Sequence, residues 1–156
     1  MSEKFTPEAI SPEQAEEAKF WDEEIAEHLK TASPEVKKLS RDGMIDDVMN
    51  NLKMRFKTRN KLDPESFTPE KFVMEQGLAA DLNLFIQEHG LQDEYERIEA
   101  ELARRTALLL EASRKMDIAM MKSMTWEVPE SEVRDFFKKA YRELRQRGYT
   151  RKEIAG

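Results

Sequence analysis

Two histidines, His28 and His89, and no cysteine set the limits of what this 156-residue chain can do chemically. Without thiols there is no disulfide, no thiolate metal site and no cysteine nucleophile. A carboxylate-bridged di-iron bundle needs Glu-x-x-His on two helices. The residues three before the histidines are Ile25 and Ile86, so that pattern fails twice. Glu24 and His28 lie four apart and share one face of a helix, but a single such pair is common. Both histidines are therefore read as solvated or capping side chains. General acid–base catalysis needs carboxylates in unlike surroundings. The runs Asp22-Glu23-Glu24 and Asp93-Glu94-Tyr95-Glu96 have instead the pattern of exposed charged faces. There is no glycine-rich phosphate loop and no Gly-x-Ser-x-Gly. The sequence predicts no enzyme, no metal, no cofactor and no small-molecule substrate.

Two other groupings have the spacing to bind something larger. Lys53, Lys57 and Lys61 form a row beside an apolar helical stripe, with Arg55 and Arg59 around the same cylinder. Further on, Arg134, Lys138, Arg142 and Arg145 fall within an arc of about 80° on a helix. Arg147, Arg151 and Lys152 extend that basic end. Such rows suit phosphates and would make binding salt-dependent. The same cations also suit helix C-termini, or acidic segments of the same chain. The other grouping is Met116, Met120, Met121 and Met124, followed by Trp126. Methionine repacks easily and suits an adaptable binding surface; it equally fills a core against the next helix. The stretch from Glu143 to Ala155 resembles the opening of a helix-turn-helix unit, with no recognition helix after it.

The elements that must position these residues announce their own beginnings. All six prolines precede glutamate, and five follow Thr, Ser or Asp: Thr6-Pro7, Ser11-Pro12, Ser33-Pro34, Asp63-Pro64 and Thr68-Pro69; the sixth pair is Pro129-Glu130. A capping side chain, then proline, then an acid in the first turn is a helix start signal. The hydroxyl or carboxylate accepts an orphan backbone N–H, proline has none to lose, and glutamate meets the positive end of the dipole. Ser11 with Gln14, and Thr150 with Glu153, have capping-box spacing.

From these signals and from apolar periodicity the chain reads as all-α, with about five helices and no strand. The first runs from Ser11 to about Lys30, with Trp21 and Ile25 inward. The second starts at Ser33, with Gly43 as a candidate break and Ile45, Val48, Met49, Leu52 and Phe56 as its stripe. The third, 69–89, ends at a Gly90 cap and contains Gly77, which weakens a helix by up to about 1 kcal/mol. The fourth, 92–124, is a single long rod with a seven-residue repeat through Tyr95, Ile98, Leu102, Leu109, Ala112, Met116 and Ala119, broken by Arg105. The fifth runs from Pro129 to Gly148. Helices three and four read as a central antiparallel hairpin in an elongated bundle. The expected organisation is an acidic arm and helix over 1–33, a helical core over 34–126 and a basic helix over 127–156.

Composition agrees with wide solvated faces: 39% hydrophobic, 37% charged, five glycines. The net charge of −6 is segregated into blocks: −7 over 1–35, +5 over 36–61, −9 over 62–101, +2 over 102–129 and +3 over 130–156. Blocks of alternating sign close on one another within a fold or pair between copies. The longest apolar run, 107–110, is far short of the roughly 20 residues that span a bilayer, and the first residues lack the apolar core of a signal peptide. The reading is a cytoplasmic, non-enzymatic helical interaction protein: an assembly factor, adaptor or inhibitor of phage or bacterial type. It works through protein–protein contacts, with a homo-oligomer as one form. The alternative is a nucleic-acid-binding subunit of an oligomeric complex, concerned with DNA packaging or regulation and using the basic rows of helices two and five.

Overall fold

The computed structural model describes residues 11–58 and 62–155, the side chains of 55–58 and 155 excepted. It is all-α: among the described residues there is no strand. The described residues form eight α-helices: α1 (Pro12–Leu29), α2 (Pro34–Lys37), α3 (Arg41–Thr58), α4 (Pro69–Glu88), α5 (Gln92–Lys115), α6 (Ile118–Ser123), α7 (Glu130–Gln146) and α8 (Arg151–Ala155). One 3₁₀ turn covers Pro64–Ser66.

The start signals work as the capping chemistry requires. Ser11 Oγ accepts Gln14 N–H at 3.1 Å, and Gln14 Oε1 accepts Ser11 N–H at 2.9 Å, closing the capping box. Ser33 and Thr68 accept Val36 N–H and Lys71 N–H at 3.3 and 3.2 Å. Thr150 and Glu153 form the second reciprocal box. Asp63 caps the 3₁₀ turn through Glu65 N–H at 3.0 Å. Pro129 is itself the N-cap residue of α7, without a side-chain cap. The Thr6-Pro7 signal lies outside the described residues.

Two expectations about boundaries need correction. The break between α2 and α3 falls at 38–40, ahead of Gly43, because Ser40 Oγ accepts Gly43 N–H at 3.1 Å and begins a new helix there. The predicted rod 92–124 is two helices. α5 ends at Lys115; Met116 takes the left-handed conformation, φ 53°. Met116 N–H then bonds Ser113 O at 3.1 Å and Asp117 N–H bonds Ala112 O at 2.9 Å. That pair of bonds is a Schellman stop. Asp117 next caps α6, accepting Met120 N–H at 2.9 Å.

The chain divides into two compact units, Met1–Val48 and Met49–Gly156, with α3 passing from one to the other. In the first, Trp21, Ile25, Ile45 and Val48 are buried. Arg41 binds Asp22 at 3.1 Å and His28 binds Asp47 at 2.7 Å. Both links span nineteen residues, so the start of α3 runs alongside the second half of α1 in the same direction. His28 is not the solvated or capping side chain expected: its side chain is 11% exposed. Glu24 is buried, not on an open face, because it stands three residues after Trp21 and shares that inward face.

The second unit has an aromatic and aliphatic core: Leu78, Leu82, Phe85 and Ile86 of α4, Tyr95 and Ile98 of α5, and Val133, Phe136, Phe137, Ala140, Tyr141 and Leu144 of α7. Phe136 meets Phe85 and Tyr95 at 5.9 Å between ring centroids, distances at which edge and tilted ring pairs are attractive. Arg97 binds Glu132 at 2.8 Å. Glu101 accepts from Val128 N–H at 2.8 Å. The partners of 95, 97 and 101 are thus 136, 132 and 128, so α7 runs antiparallel to the first half of α5. Gly90, φ 62°, makes the turn between α4 and α5. Gly77 has its own reason within α4: a Cβ there would stand 3.1 Å from the Tyr149 hydroxyl, which donates to Asp81 at 2.7 Å.

Candidate protein-interaction site

α5 is 24 residues long, about 36 Å at 1.5 Å per residue. α7 and the 127–128 segment before it pack on the turns from Tyr95 to Glu101, and beyond them several apolar side chains are open. Leu109, Leu110 and Met116 are 47%, 68% and 84% exposed; Ile118 and Met121 of α6 are 63% and 38% exposed. Five large apolar side chains are therefore open to solvent within 109–121. Ala112, in the midst of them, is buried because α6 folds back on α5 after the Met116 turn. Scattered exposed apolar residues are ordinary on a protein surface; a concentration of them marks a docking site.

Of the residues singled out in the sequence, Met116 and Met121 belong to this surface. Met120 and Met124 are half-buried. Trp126 is half-buried beneath Arg105, whose guanidinium carbon lies 4.4 Å from the ring centroid, a stacking distance for cation and aromatic face. Arg105 Nη1 and Trp126 Nε1 have no hydrogen-bond acceptor among the described residues. Leu109, Leu110 and Ile118 were missed as surface residues. The heptad pattern assigned Leu109 to a core seam, and periodicity cannot tell a covered stripe from an open one.

The end of the site is held by a buried carboxylate. Glu101, with a side chain 1% exposed, accepts from Glu127 N–H and Val128 N–H at 2.8 Å each and from Arg104 at 2.5 Å. Arg104 also donates to Thr125 O at 2.6 Å. Burial pushes the Glu101 pKa up, but the bonds from Val128, Arg104 and Glu127 and the Arg104 charge outweigh it, and the carboxyl sits below its ordinary value. This clamp fixes the 125–128 segment that links α6 to α7. Sequence reading placed no carboxylate in a buried position; Glu101 gave no signal, because its partners are backbone groups 26 and 27 residues away.

Most of the described members of the basic rows are engaged within the fold. Lys53 lies 5.7 Å from the Phe137 ring centroid. Arg147 binds Asp81 at 3.2 Å and Glu88 at 2.9 Å, and Arg145 donates to Tyr149 O at 2.9 Å. Arg134, Lys138, Arg142 and Arg151 are half-buried and each has an interaction partner. Lys152 is exposed. The side chains of Arg55 and Lys57, and residues Arg59 and Lys61, lie outside the described residues. Beside these cations, Phe85, His89, Leu91, Lys139, Arg142 and Glu143 line an open cleft of about 330 Å³, in which His89 is bonded to Glu143 at 2.9 Å. The Tyr149 hydroxyl, raised to about 12 by burial and by the bond to Asp81, is a fixed donor. No cluster of three metal-ligating side chains occurs among the described residues, and none of their helices is long and apolar enough to cross a membrane. Comparison with protein families, curated proteins and solved structures finds no match to this chain.

Proposed function

We propose that this chain is a non-enzymatic interaction protein, an assembly factor, adaptor or inhibitor, that docks on another protein through the open end of α5 and α6. The observation that carries the reading is the concentration of exposed Leu109, Leu110, Met116, Ile118 and Met121 next to a well-covered core. Met116 adds to it. Gly90 and Gly148 end α4 and α7 in left-handed turns at no steric cost. A methionine in the same conformation costs about 1 kcal/mol, and its side chain is almost wholly in solvent. It contributes nothing to the fold that glycine would not. Strain of this kind at a surface position is a mark of use by something else.

The nucleic-acid alternative rests on the basic rows, and the half-buried, partnered state of those in α7 counts against it. The test is affinity capture from the native host with wild type and with Leu110→Asp/Ile118→Asp, a variant of exposed positions that keeps its helical circular dichroism. The expected outcome is loss of one or a few captured proteins in the variant, and hydrogen-exchange protection of 107–123 when a captured protein is added back. Identical capture profiles would overturn the assignment.

A further inference from the structure

If the 109–121 surface is an interface, as proposed, its charges identify the class of partner. Residues four apart on a helix stand one above the other. Arg105 is one turn from Leu109, Arg114 one turn from Leu110, and Lys122 one turn from Ile118. Each of these exposed apolar side chains has a cation beside it. The neighbouring acids are committed within the fold. Glu111 binds Lys115 at 2.9 Å, and Asp117 caps α6. Arg114 and Lys122 are exposed and make no ion pair among the described residues. Arg105 is half-buried over Trp126 with its Nη1 shielded from solvent, so it adds charge to the edge of the surface without an open donor there. The surface has an apolar centre and a positive rim.

We infer that this surface receives an acidic amphipathic helix of another protein, its apolar stripe against Leu110, Met116 and Ile118 and its carboxylates against Arg114 and Lys122. A helix with apolar residues at every third or fourth position and acids between them has the matching pattern. A peptide adding as a β-strand would need a sheet edge, and the described residues contain no strand. A second copy of this chain does not fit. A two-fold contact sets a patch against itself, and here it would set positive rim against positive rim. An anionic bilayer matches the charge, but interfacial anchoring draws on exposed aromatic rings, and the five exposed apolar residues are leucine, isoleucine and methionine. Methionines repack around a protein partner.

The experiment pans a display library of helical peptides, with fixed apolar stripe and randomised charged positions, on the intact protein. Glu and Asp are expected at the flanking positions, and an all-Glu peptide should bind at least about tenfold more tightly than its all-Lys counterpart, with the difference shrinking as salt rises. Arg114→Glu/Lys122→Glu, both surface changes, should reverse the preference toward the Lys peptide. Leu110→Asp/Ile118→Asp should abolish binding of both. Equal binding of the two peptides, no reversal in the charge variant, or no enrichment at all would overturn the acidic-helix assignment. So would patch-dependent flotation with phosphatidylserine vesicles, or patch-dependent dimerisation in light scattering. Loss of a captured host protein in Leu110→Asp/Ile118→Asp without any acidic preference would leave the interface standing and remove only its proposed occupant.

Discussion

Glu101 is a single side chain that decides where a segment lies. Its two oxygens satisfy two backbone N–H groups and one guanidinium in a place from which water is excluded. Replacing it with glutamine turns one acceptor into a donor facing N–H groups, so Glu101→Gln is expected to cost about 2–3 kcal/mol, read by urea denaturation. The pH dependence follows from the lowered pKa. The folded carboxyl holds its proton less tightly than the unfolded one, whose value is near 4.5. Its stabilisation is complete above that value and is lost as pH falls through the folded value. Melting temperatures taken from neutral pH into the acid range should therefore converge for wild type and Glu101→Gln. A constant gap down to the most acid point would mean that the charge is not what holds the clamp. Glu101 stands three residues after Ile98 and Glu99 four after Tyr95, so both fall near the inward face of α5 and nothing local says which of them is covered.

Helix ends were legible where their chemistry is local, and illegible where it is not. Ser11, Ser33, Thr68 and Thr150 cap the turns they precede, because a cap involves side chain and backbone within three residues. The stop at Met116 carried no glycine and no proline, so the repeat read straight through it. What ends α5 is packing: Ala112 is buried under α6, and the chain must reverse to put it there. Met116→Gly is expected to raise stability by about 1 kcal/mol by removing the left-handed penalty, and to weaken partner binding by removing an exposed contact. The two changes have opposite signs, and denaturation paired with peptide binding measures both. If Met116→Gly left stability unchanged and binding intact, the side chain would have no role at the turn or in docking.

For the molecule as a whole, the alternating charge blocks close on one another inside the second unit. The acidic block 62–101 supplies Asp81 and Glu88, and the basic block 130–156 supplies the Arg147 that binds both. The basic row of α7 is thus expected to matter to the fold before it matters to a polyanion. Replacing Arg134, Lys138, Arg142 and Arg145 by alanine should lower the melting temperature by about 5 °C, and wild type should show no steeply salt-dependent binding of DNA or RNA. Tight low-salt binding lost in that variant, with an unchanged melting temperature, would reinstate the nucleic-acid reading. By itself the sequence determined the all-α class, the side-chain caps at Ser11, Ser33, Asp63, Thr68 and Thr150, and buried residues such as Trp21, Ile45, Phe85, Tyr95 and Phe137, because these depend on neighbours three or four positions away. Only the tertiary structure decided that α7 packs on the first half of α5 while Leu109 and Leu110 of the second half stay exposed, that Glu101 is buried, and that the arginines of α7 have partners. Those facts depend on which helix reaches which, over separations that periodicity does not encode.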